Sequence, residues 1–219
     1  MNAPEENVQL YLVTDEAACM GRDLYWVVEE AVQGGVTMVQ LREKTLSTRA
    51  FIERAKRLKE VLQPYNVPLI INDRVDVALA ADADGVHVGQ SDMPYEILNQ
   101  MLPASKIIGL SVESEADLME AAQWDVSYLG LSPLYATPTK TDTKNPWGIE
   151  GLRRAVTQTK HSLIAIGGIN FMNAEEVIRN GAGGIAVVSA ICSATSPYEA
   201  AFRLKSIILN TKAGTPEQT

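Results

Sequence analysis

The chain has 219 residues, with 19 Lys plus Arg against 27 Asp plus Glu, a formal net charge of -8 and 2 Cys. This acidic balance argues against nucleic acid or an anionic membrane as a partner, because a negatively charged surface repels phosphate groups. The first residues lack the basic and apolar regions of a signal peptide, and no apolar run approaches the roughly 20 residues of a membrane span. Cys19 and Cys192 show neither metal nor disulfide spacing, so we expect a cytoplasmic protein.

Eight short apolar or alternating runs follow one another along the chain and predict eight strands. They cover residues 9–15, 37–43, 68–73, 85–89, 106–112, 127–135, 163–169 and 184–191. Segments with helical spacing lie between them. This alternation indicates a parallel sheet, because parallel neighbouring strands need a crossover connection. The repeated pattern predicts an α/β fold, a single (β/α)8 TIM barrel with an eight-stranded parallel sheet and outer helices.

An open doubly wound sheet is the rival architecture, but the G-x-G-x-x-G turn that such nucleotide-binding folds carry after the first strand is missing. No linker or composition break divides the chain, so we expect one domain over residues 1–219, with its core at about 8–210. The ends, residues 1–7 and 211–219, are polar and are predicted to be loose.

Polar residues at the end of the second predicted strand share one face. The two-residue period of a strand places Gln40, Arg42 and Lys44 together and turns Val39 and Leu41 toward the helices. Two buried like charges are costly unless an anion compensates them. The pattern therefore predicts an anion site at the barrel mouth, where such barrels carry their active sites. A solvated strand edge with ordinary surface charges is the alternative.

Acidic residues follow the third and fourth predicted strands. Asn72 and Asp73 end the third strand, and Asp92 follows the fourth. Two carboxylates at one rim suit Mg²⁺, which fills its other positions with water and substrate phosphate oxygens. Helix capping is the alternative for both, especially for Asp92, because Pro94 suits the first turn of a helix.

The ends of the last two strands predict phosphate binding. Gly167 and Gly168 follow the seventh strand and Val188-Ser189 ends the eighth, and these two loops form a recurrent phosphate site in such barrels. Close strand-to-helix packing is the alternative explanation for the glycines.

The longest irregular connection, residues 136–147, carries Thr137, Thr139 and Lys140, whose hydroxyl and ammonium groups suit phosphate. Its alternative is a solvated tether rich in turn residues.

We interpret the histidine, cysteine and large apolar side chains as structural rather than catalytic. His87 alternates with Gly85 and Gly89 on the inward face of its strand, and we interpret it as a hydrogen-bonded core histidine rather than a general base. The Met, Trp and most Tyr residues do not cluster, so we interpret them as core and surface residues. Neither cysteine has an evident base partner, which argues against a cysteine nucleophile.

Taken in chain order, these motifs resemble one family over nearly the whole sequence. They are Gln40-x-Arg42-x-Lys44, Asn72-Asp73, Asp92, Ser111, Thr137-x-Thr139-Lys140, Gly167-Gly168-Ile169 and Val188-Ser189. Together they resemble the thiamine phosphate synthase family, and a set of motifs in this order is far more specific than any one of them. Ser132 departs from the Gly that the family often places before Pro133, and we expect the loop to tolerate it.

The resemblance implies a transferase that joins 4-amino-2-methyl-5-(diphosphooxymethyl)pyrimidine to a thiazole phosphate, releases pyrophosphate and forms thiamine phosphate. It implies Mg²⁺ as cofactor and a dissociative mechanism, in which pyrophosphate leaves a pyrimidine carbocation that the thiazole nitrogen attacks.

Residue by residue, the resemblance assigns to the pyrimidine diphosphate Gln40, Arg42, Lys44, Asn72, Ser111 and Lys140. It assigns Asp73 and Asp92 to Mg²⁺, Thr137 and Thr139 to the thiazole ring, and Gly168 with the Val188-Ser189 backbone to its phosphate. The catalytic residues would be Arg42, Lys44, Ser111 and Lys140.

Three other functions stay open. The first is a thiazole tautomerase, which needs no diphosphate clamp, so the predicted clamp residues argue against it. The second is a phosphometabolite sensor, which would bind its ligand without turnover. The third is a phosphate-binding barrel of amino-acid biosynthesis, which usually needs an acid-base pair that is not evident here. The sequence leaves the oligomeric state open, with a homodimer as one alternative.

Overall fold

The computed structural model describes residues 8–137 and 145–214. Eight short parallel strands form its centre: β1 Leu10–Val13, β2 Met38–Leu41, β3 Leu69–Asn72, β4 Gly85–Val88, β5 Ile107–Val112, β6 Tyr128–Leu131, β7 Leu163–Ile166 and β8 Gly184–Val187. Each strand pairs with the next, and β8 pairs with β1, so the sheet closes. The predicted eight-stranded barrel is confirmed, and closure excludes the open doubly wound sheet.

Helices follow the strands on the outside of the barrel. In the described residues they are α1 Leu24–Gln33, α2 Thr48–Leu62, α3 Val75–Ala80, α4 Tyr95–Met101, α5 Glu115–Ala121, α6 Gly148–Gln158, α7 Ala174–Arg179, α8 Ser189–Cys192 and α9 Pro197–Ala213. Several begin at a side-chain cap. Ser47 accepts a hydrogen bond from Ala50 N–H at the start of α2, and Ser196 accepts one from Glu199 N–H at the start of α9. No helix among these residues has the length and apolar character needed to cross a bilayer.

Alternating strand side chains build two apolar layers. One set points into the barrel, where Tyr11, Met38, Ile70, Tyr128 and Ile164 pack together. The opposite set, including the predicted outward pair Val39 and Leu41, packs against the helices in the larger core. Because successive strand residues point to opposite faces, the polar residues that flank Val39 and Leu41 are directed to the barrel interior and its mouth.

The strands are shorter than their sequence patterns predicted. The prediction of strand through residues 184–191 was wrong at its end, because the chain turns into α8 at Ser189, where Cys192 N–H donates to Val188 O. The prediction of strand to residue 135 was also wrong, since β6 ends at Leu131.

The C-terminal boundary also differs from its prediction. Helix α9 continues to Ala213, so residues 211–213 are helical rather than part of a loose end. Thr211 is buried, and its hydroxyl donates to Ile207 O at 2.8 Å. Lys212 Nζ donates to Gly183 O at 2.8 Å, which ties the last helical turn to the loop before β8.

Candidate active site

A cavity of about 820 Å³ opens at the C-terminal ends of the strands. Every predicted site residue that the structure describes lines it: Gln40, Arg42, Lys44, Asn72, Asp73, Asp92, Ser111, Thr137, Gly167, Gly168, Val188 and Ser189. Thr139 and Lys140 lie outside the described residues. The cavity therefore brings together residues that are spread over 150 positions of sequence, from 40 to 189.

The basic side of the cavity comes from the end of β2. Gln40 is buried, and the backbone N–H of Arg42 donates to Thr14 Oγ1 at 3.0 Å, which fixes the chain where β2 leaves the barrel. Lys44 Nζ forms an ion pair with Asp73 Oδ2 at 2.7 Å. A closed barrel leaves no sheet edge, but the Lys44 side chain is 54% exposed, so the alternative of an ordinary surface charge stays open for it.

Asp73 adopts an uncommon backbone conformation. Its φ of 59° lies in the left-handed region, which Asp tolerates better than most residues. Its N–H donates to His87 O at 2.8 Å, so the backbone stays bonded to β4 while the chain turns. Such conformations persist where surrounding structure holds them, often at functional sites.

Asp92 lies beside Asp73 and is held by a turn. Its Oδ2 accepts a hydrogen bond from Gly89 N–H at 2.7 Å. Burial, and next the negative charge of Asp73, raise the pKa of the Asp92 carboxyl. The nearby Lys44 ammonium, which is paired with Asp73, acts in the opposite direction on the pKa of Asp92.

The capping alternative is wrong for both aspartates. Helix α3 begins after Arg74 and α4 after Pro94, and neither helix start has a side-chain cap. The carboxylates are therefore directed to other partners. Asp73 binds Lys44, and Asp92 binds the Gly89 amide.

The glycines after β7 allow a close approach of two loops. Gly167 and Gly168 have φ values of 102° and 67°. A Cβ on Gly168 would lie 2.9 Å from Ala136 O, and one on Gly167 would lie 2.8 Å from Pro133 Cβ. Packing thus accounts for both glycines. Phosphate binding at these residues stays a prediction, and the packing is compatible with it.

Helix α8 begins at the cavity wall with Val188 as its N-cap. The first N–H groups of a helix have no partner within it, so they are available to an anion in the cavity. The other end of the helix is tied to the β1 side by Arg22, whose guanidinium donates to Cys192 O at 2.5 Å and to Ala194 O at 2.6 Å. This contact fixes the direction of the helix.

The described ends of the long loop are anchored to neighbouring strands. Leu134 N–H donates to Ile166 O at 2.7 Å, and Trp147 N–H donates to Pro133 O at 2.9 Å. Ser132 is buried, with its N–H bonded to Val112 O at 3.1 Å. Thr137 is therefore carried into the cavity wall by a segment whose start is fixed.

Two tyrosines of the barrel interior were missed. Tyr11 and Tyr128 are buried below the cavity, and their hydroxyl oxygens are 2.8 Å apart. Their interpretation as core residues is confirmed by their burial. What the sequence did not predict is that both hydroxyls bond other polar groups that line the cavity. The available signal was their inward position in the two-residue strand period.

His87 is bonded through both ring nitrogens, as predicted for a core histidine. Its Nδ1 lies 3.0 Å from Tyr128 Oη and its Nε2 lies 2.8 Å from Ser111 Oγ. Cys19 and Cys192 are buried thiols that do not line the cavity.

A closed (β/α)8 barrel with basic, acidic and glycine residues around one cavity at its strand ends belongs to the class of barrel enzymes that act on phosphorylated small molecules. Residues 10–191 match the family described as thiamine monophosphate synthase. This chain belongs to the thiamine monophosphate synthase family. The resemblance seen in its sequence motifs is thereby confirmed.

Relatives support this over nearly their full lengths. The chain is 55% identical over 201 residues to a thiamine-phosphate synthase of Albidiferax ferrireducens, covering 92% of each protein. It is 54% identical over 200 residues to that of Vibrio parahaemolyticus serotype O3:K6, covering 91% of this chain and 98% of the relative. The solved thiamine phosphate pyrophosphorylase of Pyrococcus furiosus superposes with a TM-score of 0.87 at 38% identity, covering 94% of this chain and 98% of that one.

Proposed function

We propose that this chain is a transferase that moves the 4-amino-2-methyl-5-pyrimidinylmethyl group from its diphosphate to a thiazole phosphate, releasing pyrophosphate and forming thiamine phosphate. One observation carries the proposal. A single cavity holds a basic and acidic cluster suited to a diphosphate and, separately, a glycine and helix-start wall suited to a monophosphate. Two phosphorylated substrates can therefore be held in one space.

The diphosphate is assigned to the β2 side. Arg42 and Lys44 supply positive charge there, and Lys140 is proposed to add to it from the long loop. Negative charge accumulates on the leaving pyrophosphate as its bond to carbon breaks, so groups already directed at that position stabilise the transition state more than the ground state. The Lys44 contact with Asp73 at 2.7 Å holds the ammonium group in place before substrate binds.

The two aspartates fit a magnesium ion. Asp73 lies close enough to Asp92 for its negative charge to raise the pKa of the Asp92 carboxyl. A divalent cation between the two carboxylates would remove this repulsion. Among the described residues, no group of three or more His, Cys, Asp or Glu could hold a metal. A two-carboxylate site suits Mg²⁺, which commonly completes its shell with water and phosphate oxygens. When bound, Mg²⁺ would supply charge neutralisation of the diphosphate.

The other residues orient the reacting groups. Gln40, Asn72 and Ser111 are proposed to hold the pyrimidine, while Thr137 and Thr139 contact the thiazole ring. Gly168 and the Val188-Ser189 backbone are proposed to hold the thiazole phosphate. The bond from the methylene carbon to the diphosphate oxygen breaks, its electron pair leaves with pyrophosphate, and the thiazole nitrogen lone pair forms the new bond. Positioning replaces a protein nucleophile in this scheme.

Pyrophosphate release by the purified protein tests the proposal. The pyrimidine diphosphate and Mg²⁺ are supplied with and without the thiazole phosphate, and products are identified by mass spectrometry. Thiamine phosphate that forms only with both substrates is the expected result. Binding of the thiazole phosphate without pyrophosphate release would favour the tautomerase or sensor function instead. An isomerised thiazole product would favour the tautomerase over the sensor.

Asp92→Asn separates the metal role from a structural role. Asparagine keeps an acceptor for the Gly89 amide but cannot ionise, so the Mg²⁺ concentration for half-maximal activity is expected to rise several-fold. The raised pKa of Asp92 means that its ionisation destabilises the metal-free fold as pH rises above the ordinary Asp value of about 3.9. The variant's Tm without metal at pH 7 should therefore equal or exceed that of the unsubstituted protein.

The same variant gives a readout without turnover. Added Mg²⁺ should raise the Tm of the unsubstituted protein by linkage and leave that of Asp92→Asn nearly unchanged. Asp125→Asn is the matched control, because Asp125 does not line the cavity. An unchanged Mg²⁺ requirement in Asp92→Asn would remove Asp92 from the metal site.

We also propose a cytoplasmic location, which two buried thiols without a disulfide support.

A further inference from the structure

Five side chains form a continuous hydrogen-bonded series across the barrel interior, which we call the interior chain. Gln40 Nε2 donates to Tyr11 Oη at 2.9 Å, and Tyr11 Oη lies 2.8 Å from Tyr128 Oη. Tyr128 Oη lies 3.0 Å from His87 Nδ1, and His87 Nε2 lies 2.8 Å from Ser111 Oγ. The interior chain thus connects β2 to β5 beneath the cavity, and both of its ends are residues assigned above to the pyrimidine.

The two phenols in the middle remain protonated. Tyr11 and Tyr128 are fully buried, and this burial raises the pKa of each hydroxyl well above its usual range. Each phenol therefore has one proton to donate and lone pairs to accept. A neutral imidazole likewise donates through one ring nitrogen and accepts through the other.

With one proton on each phenol and one on a neutral imidazole, only two sets of hydrogen-bond directions use every proton along the interior chain. We call each set an order. In the first, Gln40 donates to Tyr11, the direction continues through Tyr128 to His87 Nδ1, and His87 Nε2–H donates to Ser111. In the second, the Gln40 amide is reversed and every bond runs the other way, so that Ser111 donates to His87. Any mixture of the two either places two donors or two acceptors face to face or leaves one buried phenol proton without an acceptor, and each of these forfeits a hydrogen bond.

The structure has the first order at its Gln40 end, because Nε2 of the amide faces Tyr11. This order has consequences for both substrate-facing residues. Gln40 presents its carbonyl oxygen to the cavity, where it can accept from an exocyclic amino group. Ser111 receives the proton of His87 Nε2 and can therefore direct its own hydroxyl proton to the cavity.

The neighbouring strands leave room for the rings of the interior chain. The His87 and Tyr128 rings stack with centroids 5.6 Å apart, and the Tyr11 ring meets Tyr128 edge-on. A Cβ on Gly109 would overlap the Tyr128 ring and lie 2.7 Å from His87 Nδ1, and one on Gly130 would lie 3.1 Å from His87 Cε1. The rings therefore have little space in which to turn out of the series.

We propose that Tyr11, Tyr128 and His87 are positioning residues, which fix the donor and acceptor roles of Gln40 and Ser111 toward the pyrimidine by holding the interior chain in one order. This rests on the proposed function, because it deepens the assignment of Gln40 and Ser111 to that substrate. The predicted tautomer of His87 carries its proton on Nε2.

Tyr128→Phe tests the proposal by removing one hydroxyl while keeping the ring. We expect nitrogen-15 spectra of the substrate-free protein to show His87 as the Nε2–H tautomer, and to show a mixture of tautomers in the variant. The chain has 2 His, so a His161→Gln background assigns the signals. We also expect kcat/KM for the pyrimidine diphosphate to fall about tenfold, from loss of one ordered hydrogen bond, with KM for the thiazole phosphate within about twofold.

Tyr11→Phe is the sharper variant, because Tyr11 is linked to His87 through the Tyr128 hydroxyl. A change of the His87 tautomer in this variant would show that order passes along the series. Tyr65→Phe is the matched control. Its hydroxyl bonds Glu29 and Gln33 outside the cavity, so neither the spectrum nor the kinetics should change.

Two results would overturn the proposal. One is an unchanged His87 tautomer in both Tyr11→Phe and Tyr128→Phe. The other is an equal rise of KM for both substrates together with a lower Tm, which would indicate general loosening of the barrel. The spectra need no turnover, so a single His87 tautomer that responds to both variants in a protein without synthase activity would count against the proposed function alone.

Discussion

Arg42→Ala is expected to lower kcat/KM for the pyrimidine diphosphate by roughly 10²- to 10³-fold, the usual effect of removing one preorganised group that stabilises transition-state charge. The reason is geometric. The Arg42 backbone is fixed by the bond from its N–H to Thr14 Oγ1 at 3.0 Å, and the residue lines the cavity beside Lys44 and Asp73. Water that replaces the guanidinium cannot supply an already oriented positive charge. Steady-state kinetics with each substrate varied in turn provides the measurement.

Two further substitutions help to explain the effect of Arg42→Ala. Arg42→Lys keeps the charge but loses the planar fork that binds phosphate oxygens in pairs, so an intermediate rate is expected. Arg49→Ala, on the exposed start of α2 and away from the cavity, should match the unsubstituted protein. A rate for Arg42→Ala within about threefold of normal would place the diphosphate elsewhere, since even one ordinary hydrogen bond contributes that much.

Arg54→Met is expected to give the largest loss of stability, about 3 kcal/mol in the free energy of unfolding. Arg54 on α2 forms ion pairs with Glu43 at 2.5 Å and with Glu16 at 2.7 Å. The Glu43 side chain is only 7% exposed, so removal of its partner leaves a buried carboxylate without compensation. For a chain of this size the corresponding fall in Tm is roughly 6–12 °C, measured by thermal unfolding.

The double variant with Glu43→Gln distinguishes this mechanism from lost packing. Neutralising Glu43 removes the unpaired charge, so the double variant should recover much of the lost stability. Arg153→Met is the control, because its ion pair with Glu150 is exposed on both sides and should contribute less than about 1 kcal/mol. A Tm for Arg54→Met within a degree or two of normal would show that water already compensates Glu43.

This ion pair also bears on the site. Glu43 lies between Arg42 and Lys44 in sequence, past the end of β2 at Leu41, and unlike them it does not line the cavity. Its attachment to Arg54 on α2 therefore holds the segment from which both cations reach the cavity. Activity of Arg54→Met measured well below its Tm reports how much of that positioning depends on the helix.

Local patterns were sufficient to predict the number of strands, the barrel and the cavity that the described candidate residues share. Apolar runs alternating with helical segments are a property of neighbouring residues, and so is the two-residue period that directed Gln40 inward and Val39 outward. The prediction that strand ends converge needs only closure of a parallel sheet. For that reason the described candidates, from Gln40 to Ser189, line one cavity.

Contacts across the barrel could not be predicted in this way. Tyr11 and Tyr128 are 117 positions apart, and their hydroxyls meet only because the register of eight strands brings both to one level of the interior. Whether Asp92 caps a helix likewise depended on where α4 begins relative to Gly89. Sequence periodicity specifies which face a side chain takes, whereas the level and partner it reaches depend on strand register and closure, which only the assembled barrel determines.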